Sequence, residues 1–347
     1  MATKRTQEQA LDPALAAAWH HVLDVAVGVL ELEPWGHIAP DAVLGVHDPV
    51  SREVDWCTVM GHAGEVFGIA MYQGDEGYAT LHRLEQDAVD ELDVQIAQRA
   101  VTLTFESAAT TTPASKTVLK RLGRKFRGAR AWPELLVHEP GLFPIPPWNE
   151  TQLERIANAL CGVAAFVPWA FDDGDGGVCP VPGRAWVTAP PFADGDRRQE
   201  VLPAVIEVPV ATLPFDQVEV ARLRSNSASS SEHWFLDWFC GPSVIDGSEA
   251  AGRPFFSTHL MALDLGSGML LGADVGRLAT VAADLLAIVL RLCARQGVPA
   301  AIVVRRRELL VALQPLASAL GVSLRHEPGL IEVSRNLLSS FLVFGGH

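Results

Sequence analysis

The part of the sequence that decides the fold reads EHWFLDWF at residues 232–239, FFSTHLMALDLGSGMLLGA at residues 255–273 and AAIVVRRR at residues 300–307. Trp234 to Phe239 is aromatic and apolar around Asp237, and Phe256 to Leu265 is a second apolar run, so both predict strands. Gly266 to Gly268 separates the second run from Met269 to Ala273, which is typical of a hairpin. Three successive strands therefore open this part of the chain.

Helices and short strands alternate after the third strand. Apolar residues recur at helical spacing in Arg277 to Gln296 and in Arg307 to Leu320, and a glycine follows each segment as a stop signal. The other predicted elements are two strands and a last helix: Ala300–Val304, Val322–His326 and Leu330–Phe344. The pattern predicts an α/β domain with the element order β-β-β-α-β-α-β-α.

The first half of the chain predicts a mixed α+β domain. Pro13 to Glu33 is an amphipathic helix. It is followed by an antiparallel meander of three strands, a helix and a further strand: Ala42–His47, Val54–Gly61, Glu65–Gln73, Asp75–Asp93 and Val101–Glu106. Glycine, aspartate and proline are frequent between Phe171 and Arg198, which indicates irregular structure there. We expect an α+β domain over residues 1–170, a linker or irregular segment over 171–199 and the α/β domain over 200–347.

Composition and charge limit the classes of function. The 347 residues are 49% hydrophobic and 20% charged, which suits two globular domains. The formal net charge of -14 opposes a protein that coats nucleic acid, because such binding needs clustered Lys and Arg to neutralise phosphates. A local basic patch can still override the total charge.

The sequence predicts a cytoplasmic protein without a membrane segment. The first helix carries His20, His21 and Asp24 and lacks the uninterrupted apolar core of a signal peptide. The apolar segment from Val281 to Cys293 is too short to span a bilayer. The five cysteines are odd in number and form no Cys-x-x-Cys pair, so we expect reduced thiols.

A pattern of glycines and aromatic residues extends through the first half and beyond. It comprises Pro34-Trp35, Val59-Met60-Gly61, Gly64, Gly68, Tyr72-x-Gly74, Gly77, Pro147-Trp148 and Gln152–Leu160. The pattern resembles a family of uncharacterised bacterial proteins that are described only as domains of unknown function, over most of the chain. This resemblance implies no activity. The glycines predict positive φ and close approach between strands rather than a phosphate cradle, because no Gly-x-x-x-x-Gly-Lys or Gly-x-Gly-x-x-Gly follows a strand here.

The last third of the chain resembles the catalytic core of integrases and transposases, which has the ribonuclease-H-like fold. The matching residues are Trp234-x-x-Asp237 on the first strand, Met261–Asp264, Gly266–Gly268 and Leu270–Gly272 on the second and third, and Gly297-Val298-Pro299 with Ala301–Val304 on the fourth. The resemblance implies catalytic carboxylates on the strands and on the last helix. The candidates for these carboxylates are Asp237, Asp264 and Glu332.

The fourth strand departs from that family, because Arg305 and Arg306 stand where a second catalytic Asp is expected. Two-metal phosphoryl transfer holds two divalent ions about 3.5 to 4 Å apart between carboxylates. A positive charge about 4 Å away repels each ion by several kcal/mol at an effective dielectric near ~20. We therefore expect no metal and no cofactor, and an ion pair between Asp237 and Arg305 or Arg306. The arginines are either a phosphate-binding remnant or solvated residues at a helix start.

One strongly basic run follows Pro113. It comprises Lys116, Lys120, Arg121, Arg124, Lys125, Arg127 and Arg130. The run predicts either an anion-binding or nucleic-acid-binding surface, with Lys120 and Arg124 as candidates, or a solvated face neutralised by the acidic residues between 85 and 93. Only Phe126 and Trp132 could stack on bases, which favours the solvated face.

These observations support three hypotheses for function. The first is a non-catalytic cytoplasmic binding or regulatory protein with a degenerate ribonuclease-H-like domain. The second is a metal-dependent nuclease that uses Asp237, Asp264 and Glu332. The third is a protein-interaction partner in a mobile-element or defence context, acting through the acidic first domain. The partner is unknown, and the negative net charge favours a protein over a nucleic acid.

Overall fold

The computed structural model describes residues 11–85, 93–172, 178, 183–192, 197–205, 212–226, 230–246 and 252–344. The chain forms two compact units of mixed α and β structure. Unit 1 comprises Met1–Ala88, Gln98–Glu139 and Pro144–Ile206. Unit 2 comprises Val89–Ala97, Pro140–Phe143 and Glu207–His347.

Helices and strands are numbered here in chain order over the described residues. The helices are α1 (Pro13–Leu32), α2 (Gly74–Glu85), α3 (Val94–Ala97), α4 (Pro113–Arg121), α5 (Glu150–Asp172), α6 (Gln217–Asn226), α7 (Val281–Gln296), α8 (Arg307–Leu320) and α9 (Ile331–Phe344). The strands are β1 (Leu44–His47), β2 (Val54–Met60), β3 (Gly68–Gln73), β4 (Ala100–Glu106), β5 (Trp132–His138), β6 (Arg184–Thr188), β7 (Arg198–Val201), β8 (His233–Ile245), β9 (Phe255–Asp264), β10 (Leu270–Gly276), β11 (Ala301–Val304) and β12 (Ser323–His326).

Unit 2 is built on a five-stranded sheet with the order β10-β9-β8-β11-β12. The hairpin strands β8, β9 and β10 pair in antiparallel fashion, whereas β11 lies parallel to both β8 and β12. Helices α7, α8 and α9 follow β10, β11 and β12 in turn. The predicted hairpin, formed by β9 and β10, is confirmed, and the strand before it, β8, continues past Phe239 to Ile245.

The two faces of this sheet have separate cores. Successive side chains of a strand point to opposite faces. Trp234, Leu236 and Trp238 therefore pack against α6, α7 and α8, whose buried leucines and valines complete one core. Phe235 and Phe239 lie on the other face, where α9 packs. Asp237 belongs by alternation to this second, smaller core.

Unit 1 is built on a seven-stranded sheet with the order β5-β4-β3-β2-β1-β6-β7. All neighbours are antiparallel except β1 and β6, which are parallel. The predicted meander is therefore confirmed. Gly68 makes the close approach between strands that its family pattern predicts, because a Cβ there would lie 2.1 Å from the Leu103 carbonyl oxygen. Gly74 has the expected positive φ of 63°.

Helix α1 covers the larger core of unit 1 together with α5. The Asp12 side chain accepts hydrogen bonds from the first turn, Pro13 opens the helix, and Glu33 ends it in the left-handed conformation. The buried residues are Trp19, Val22, Leu23, Ala26 and Val29. Among the described residues, the segment Pro13–Gly36 also has the length and composition of a membrane span, a property that the sequence analysis assigned to no segment. Its apolar face lies in the protein core here.

Part of the segment predicted as a linker joins the sheet of unit 1. Arg184–Thr188 forms β6, which pairs with β1, and β7 pairs with β6 from Arg198 onward. Ala185, Val187 and Thr188 of β6 are buried, so most of this strand is covered within unit 1. Residues 173–177, 179–182 and 193–196 of the predicted linker lie outside the described residues.

A buried ion pair joins β2 to α5 in unit 1. Asp55 is fully buried, and Arg155 donates from Nε to both of its carboxylate oxygens at 3.0 Å. A second nitrogen of Arg155 donates to Glu53 at 2.9 Å. Burial raises the pKa of Asp55, although the hydrogen bonds and charge of Arg155 act in the opposite direction. The pair therefore fixes the guanidinium group at one end of the sheet.

His138 ends β5 close to that pair. Its Nε2 lies 3.0 Å from Thr102 Oγ1 on the neighbouring strand β4. Burial lowers the pKa of His138 to about 4, because the charged imidazolium would lose its hydration. The side chain is therefore neutral at physiological pH.

We expect His138→Gln to make the stability of the protein less sensitive to acid. Between the ordinary pKa of 6.5 and the folded value of about 4, the unfolded chain binds a proton that the folded chain does not. The free energy of unfolding therefore falls as the pH falls through this window, by about 2 kcal/mol between about pH 7 and pH 5. Urea unfolding at both pH values measures the loss.

The variant should lose about 2 kcal/mol less than wild type on this pH change. His62→Gln is the matched control, because His62 is exposed in the same unit, and it should retain the wild-type pH dependence. An equal acid loss in His138→Gln and wild type would contradict the assignment.

Candidate functional site

The neighbouring strands β8 and β11 bring the predicted site residues of unit 2 together. Their parallel register pairs Leu236 with Val304. Asp237 is the next residue of β8, and Arg305 immediately follows β11. Parallel neighbours carry corresponding residues to the same end of a sheet. The sequence prediction that Asp237 meets Arg305 or Arg306 is confirmed, because it meets both.

Asp237 is fully buried and accepts hydrogen bonds at both carboxylate oxygens. Arg305 Nε donates to Oδ2 at 2.7 Å, and Arg306 Nε donates to Oδ1 at 2.9 Å. The Ser334 hydroxyl of α9 donates to Oδ2 as well. Hydrogen bonds between ionised partners are the strong ones in proteins, so this carboxylate is held from three sides.

A second carboxylate completes the arrangement. Asp93 precedes α3 and accepts from Arg306 Nη1 at 2.9 Å and from Arg305 Nη1 at 3.2 Å. The other terminal nitrogen of Arg306 donates to Asp93 and to the Trp238 carbonyl oxygen. Its guanidinium group also lies 3.7 Å from the centroid of the Trp238 ring, within range of a cation–π contact. We call Asp93, Asp237, Arg305 and Arg306 the ionic cluster.

The charges of the ionic cluster balance, with two carboxylates facing two guanidinium groups. Both arginine side chains and Asp237 are at most 8% exposed, and Asp93 is 15% exposed. Burying charges costs several kcal/mol per ion, which close and well-hydrogen-bonded partners offset. Each member therefore compensates the buried charge of its partners, and the cluster as a whole carries no net charge.

Burial and the neighbouring carboxylates have opposite effects on the pKa of Arg305. Burial opposes its charged form, but the charges of Asp237 and then Asp93 outweigh burial and raise the pKa of Arg305. Its carbonyl oxygen lies 3.0 Å from Nε2 of His326 on β12. Its Nη2 atom is buried and has no hydrogen-bond partner among the described residues. The guanidinium group is thus held through Nε and Nη1.

Asp264 lies away from the ionic cluster. In the register of β8 and β9, Asp264 pairs with Trp234, whereas Asp237 pairs with Met261. Three residues along a strand correspond to about 10 Å and to opposite faces of the sheet. Asp264 instead accepts from the Ser267 hydroxyl at 2.6 Å and from the Ser267 backbone at 2.9 Å. These hydrogen bonds lower the pKa of Asp264 and stabilise the β9–β10 turn.

Glu332 also lies away from Asp237. It is in the first turn of α9, its side chain is 66% exposed, and it pairs with Arg335 on the same helix. Ser334 follows it by two residues and points to the other side of the helix, because successive residues turn by about 100°. Ser334 is the residue of α9 that reaches Asp237.

The three candidate carboxylates therefore do not share one site. Among the described residues, no group of three or more His, Cys, Asp or Glu side chains is arranged to hold a metal ion. What meets at Asp237 is two arginines, a serine and a second aspartate. Chemically, this arrangement neutralises charge and cross-links strand ends and helices.

Two members of this arrangement, Ser334 and Asp93, were not predicted from the sequence. Ser334 had a detectable signal, since it is a polar residue within the apolar stripe of Leu330, Val333, Leu337 and Leu338. Asp93 had none, because it precedes Arg305 by 212 residues and is the last residue of a segment predicted as a helix. The predicted neutralisation of the basic run by Asp93 was wrong, because Asp93 pairs with Arg305 and Arg306. Residues 86–92 of the same acidic segment lie outside the described residues.

The other anion-binding candidates, Lys120 and Arg124, lie in unit 1. Lys120 is exposed in the last turn of α4. Arg124 follows that helix and pairs with Asp24 of α1 at 2.7 Å, and it stacks over Phe126 at 5.7 Å. Arg130 lies over the Phe67 ring at 4.4 Å. Part of the basic run is therefore occupied by contacts within unit 1.

Two family models match the chain, and together they cover most of it. One is described as Domain of unknown function (DUF7309) and matches residues 19–168. The other is described as Domain of unknown function (DUF6930) and matches residues 219–337. The predicted resemblance to domains of unknown function is confirmed to this extent. No curated protein and no solved structure matches the chain.

The ionic cluster makes a direct prediction for stability. Arg306→Met leaves the buried carboxylates of Asp93 and Asp237 with one cation between them. Removing one partner of a buried ion pair typically costs about 3–5 kcal/mol, so we expect a loss of that size in the free energy of unfolding. Urea unfolding at neutral pH measures it.

Glu332→Gln is the matched control for Arg306→Met. It breaks a pair of exposed side chains in the same unit and should cost less than about 0.5 kcal/mol. A loss below about 1 kcal/mol in Arg306→Met would mean that water solvates the cluster and that the pairing contributes little.

Proposed function

We propose that unit 2 is a ribonuclease-H-like domain whose catalytic centre has been replaced by the ionic cluster, and that the chain is a non-catalytic cytoplasmic binding or regulatory protein. The observation that carries this proposal is the contact of Asp237 with Arg305 and Arg306. In the integrase and transposase cores that the sequence resembles, a catalytic carboxylate stands at the end of the fourth strand, where this chain has Arg305 and Arg306.

Element order and strand adjacency support the fold assignment. The elements of unit 2 run β8-β9-β10-α7-β11-α8-β12-α9, with short 3-10 turns before α7 and α9. The first and fourth strands of this series, β8 and β11, are parallel neighbours at the middle of the sheet. That adjacency is what the ribonuclease-H-like arrangement needs in order to bring its first two catalytic positions together.

Electrostatics support the loss of catalysis. A two-metal centre needs oxygen ligands on both sides of the ions. Here the Arg305 guanidinium group lies 2.7 Å from Asp237, in the space that an ion would need. The last helix offers Asp237 a serine hydroxyl and not a third carboxylate. The nuclease alternative would require Asp264 and Glu332 to leave the turn and the ion pair that they form.

Metal titration of the purified chain tests the proposal. Calorimetry with magnesium or manganese at millimolar concentration should show no specific heat, and single-stranded, duplex and hybrid nucleic acids should remain intact. Arg305→Asp returns an oxygen ligand beside Asp237, so weak metal binding in this variant, and not in Arg305→Gln, is expected. Metal-dependent cleavage by wild type that is lost in Asp237→Asn would refute the proposal.

An exposed sheet edge favours the protein-interaction alternative as a second candidate. Strand β10 is the edge of the unit 2 sheet, and Met269, Leu270 and Val275 are 58%, 42% and 52% exposed. Exposed edges with apolar side chains are sites for the addition of a partner strand. This edge lies in unit 2, whereas the sequence hypothesis assigned the interaction to the first domain.

A lysine on an edge strand blocks the addition of a partner strand. We expect the wild-type chain to retain a protein partner in a pull-down at about 1 M salt, and Val275→Lys to lose this partner. Val50→Lys, at an exposed valine of unit 1, is the matched control and should retain it. Equal capture by both variants in a quantitative pull-down would rule out the β10 edge.

A further inference from the structure

A groove of about 630 Å³ lies in unit 2 between α6 and α8. Helix α6 lines it with residues that share one side of the helix: Gln217, Val220, Ala221, Arg224 and Ser225. Helix α8 contributes Pro315 and Ala319, which are one turn apart, and Phe215 lies just before α6. The volume is within the range of small-ligand sites in proteins.

Both walls of the groove are fixed by the core of unit 2. Val220 is buried in that core, and the partly buried Phe215 and Leu223 pack against it. Asp216 accepts hydrogen bonds from the backbone of the first turn of α6 at 2.8 and 3.3 Å, which caps this helix. Buried leucines of α8 lie in the same core. The concave shape is therefore part of the fold of unit 2.

The lining of the groove is mainly apolar. Its apolar residues are Phe215, Val220, Ala221, Pro315 and Ala319. The Ser225 hydroxyl lies 3.0 and 3.2 Å from carbonyl oxygens of α6 that can accept its proton, so its own helix satisfies it. Contact of an alkyl or aromatic group with this lining is favourable, because apolar surface is then removed from water.

Arg224 is the charged residue of the lining. Its guanidinium group rests against Gly321, the glycine that ends α8, where a Cβ would lie 3.6 to 3.8 Å from three of its atoms. The Gly321 N–H satisfies the carbonyl oxygens of Ala317 and Ser318 at this helix end. Neither an ion pair nor a hydrogen bond joins Arg224 to another described residue, and the described lining contains no carboxylate. An uncompensated positive charge therefore stands beside an apolar surface.

The length of the groove limits the size of its ligand. Gln217 and Arg224 are seven residues apart on α6, which corresponds to about 10 Å along a helix. A guanidinium group matches the geometry of a carboxylate, because it presents two parallel N–H donors. A carboxylate on an apolar body of about this length complements both the charge and the apolar lining.

We propose that this groove binds a small carboxylate with an apolar body, of the kind of a medium-chain fatty acid. Arg224 binds the carboxylate, and the apolar body lies along Val220, Ala221, Pro315 and Ala319. The proposal holds whether or not unit 2 is catalytic, because the groove is not lined by any residue of the ionic cluster.

Titration with octanoate tests the proposal with the full-length chain. We expect octanoate to shift the NMR signals of α6 and α8 at neutral pH, with an affinity that falls as salt rises, because salt screens the ion pair. 1-Octanol and octylamine carry the same chain with a neutral and a cationic head group, and each should bind about fivefold more weakly or less. Equal affinities for octanoate and 1-octanol would mean that Arg224 does not select the head group, which contradicts the proposal.

Two variants at exposed positions of α6 locate the site. Arg224→Gln should weaken octanoate binding about fivefold and leave 1-octanol binding unchanged, whereas Ala221→Trp fills the groove and should abolish both. Arg222→Gln is the matched control, because Arg222 is exposed on the same helix but does not line the groove, and it should bind octanoate as wild type does. Absence of octanoate binding, or equal weakening by Arg224→Gln and Arg222→Gln, would overturn the proposal.

Discussion

The structure of unit 2 depends on the buried charge of Asp237. A carboxylate in the interior of a sheet is tolerated only when cations and hydrogen-bond donors compensate its lost hydration. Arg305, Arg306 and Ser334 provide that compensation from the end of β11 and from α9. The parallel register of β8 and β11, the start of α8 and the rotation of α9 are therefore linked to one carboxylate.

Unit 1 contains a second fully buried strand aspartate, and the two units compensate it differently. Asp55 is paired with Arg155 of α5, and the same arginine also donates to Glu53, whose side chain is 53% exposed. Asp237 is paired with arginines whose side chains are at most 8% exposed and are neutralised by Asp93. The first arrangement reaches solvent through Glu53, and the second is enclosed.

The contact of Asp237 with the arginines could be predicted because it depends on local pattern. Alternation placed Asp237 on its strand, and the apolar run from Ala301 to Val304 placed Arg305 at the end of its neighbour. The strand β5 was not predicted, and β6 fell in a segment rich in glycine and proline that was predicted as a linker.

The sequence could not show which side chains meet Asp237 in the folded protein. Glu332 was the acidic residue nearest the expected position, but the rotation of α9 presents Ser334 instead, and that rotation is set by the packing of Val333 and Leu337. Asp93 could not be found because pairing between residues so distant in sequence leaves no local pattern.

The position of Asp93 has a consequence for how this protein can be divided. The segment matched as the second domain of unknown function, residues 219–337, includes Arg305, Arg306 and Asp237 but excludes Asp93. A fragment cut at those limits would keep the two guanidinium groups with the single carboxylate of Asp237 and would lose the hydrogen bonds that Asp93 accepts. The segment of sequence similarity is therefore narrower than the compact unit, because residues 93–97 belong to unit 2.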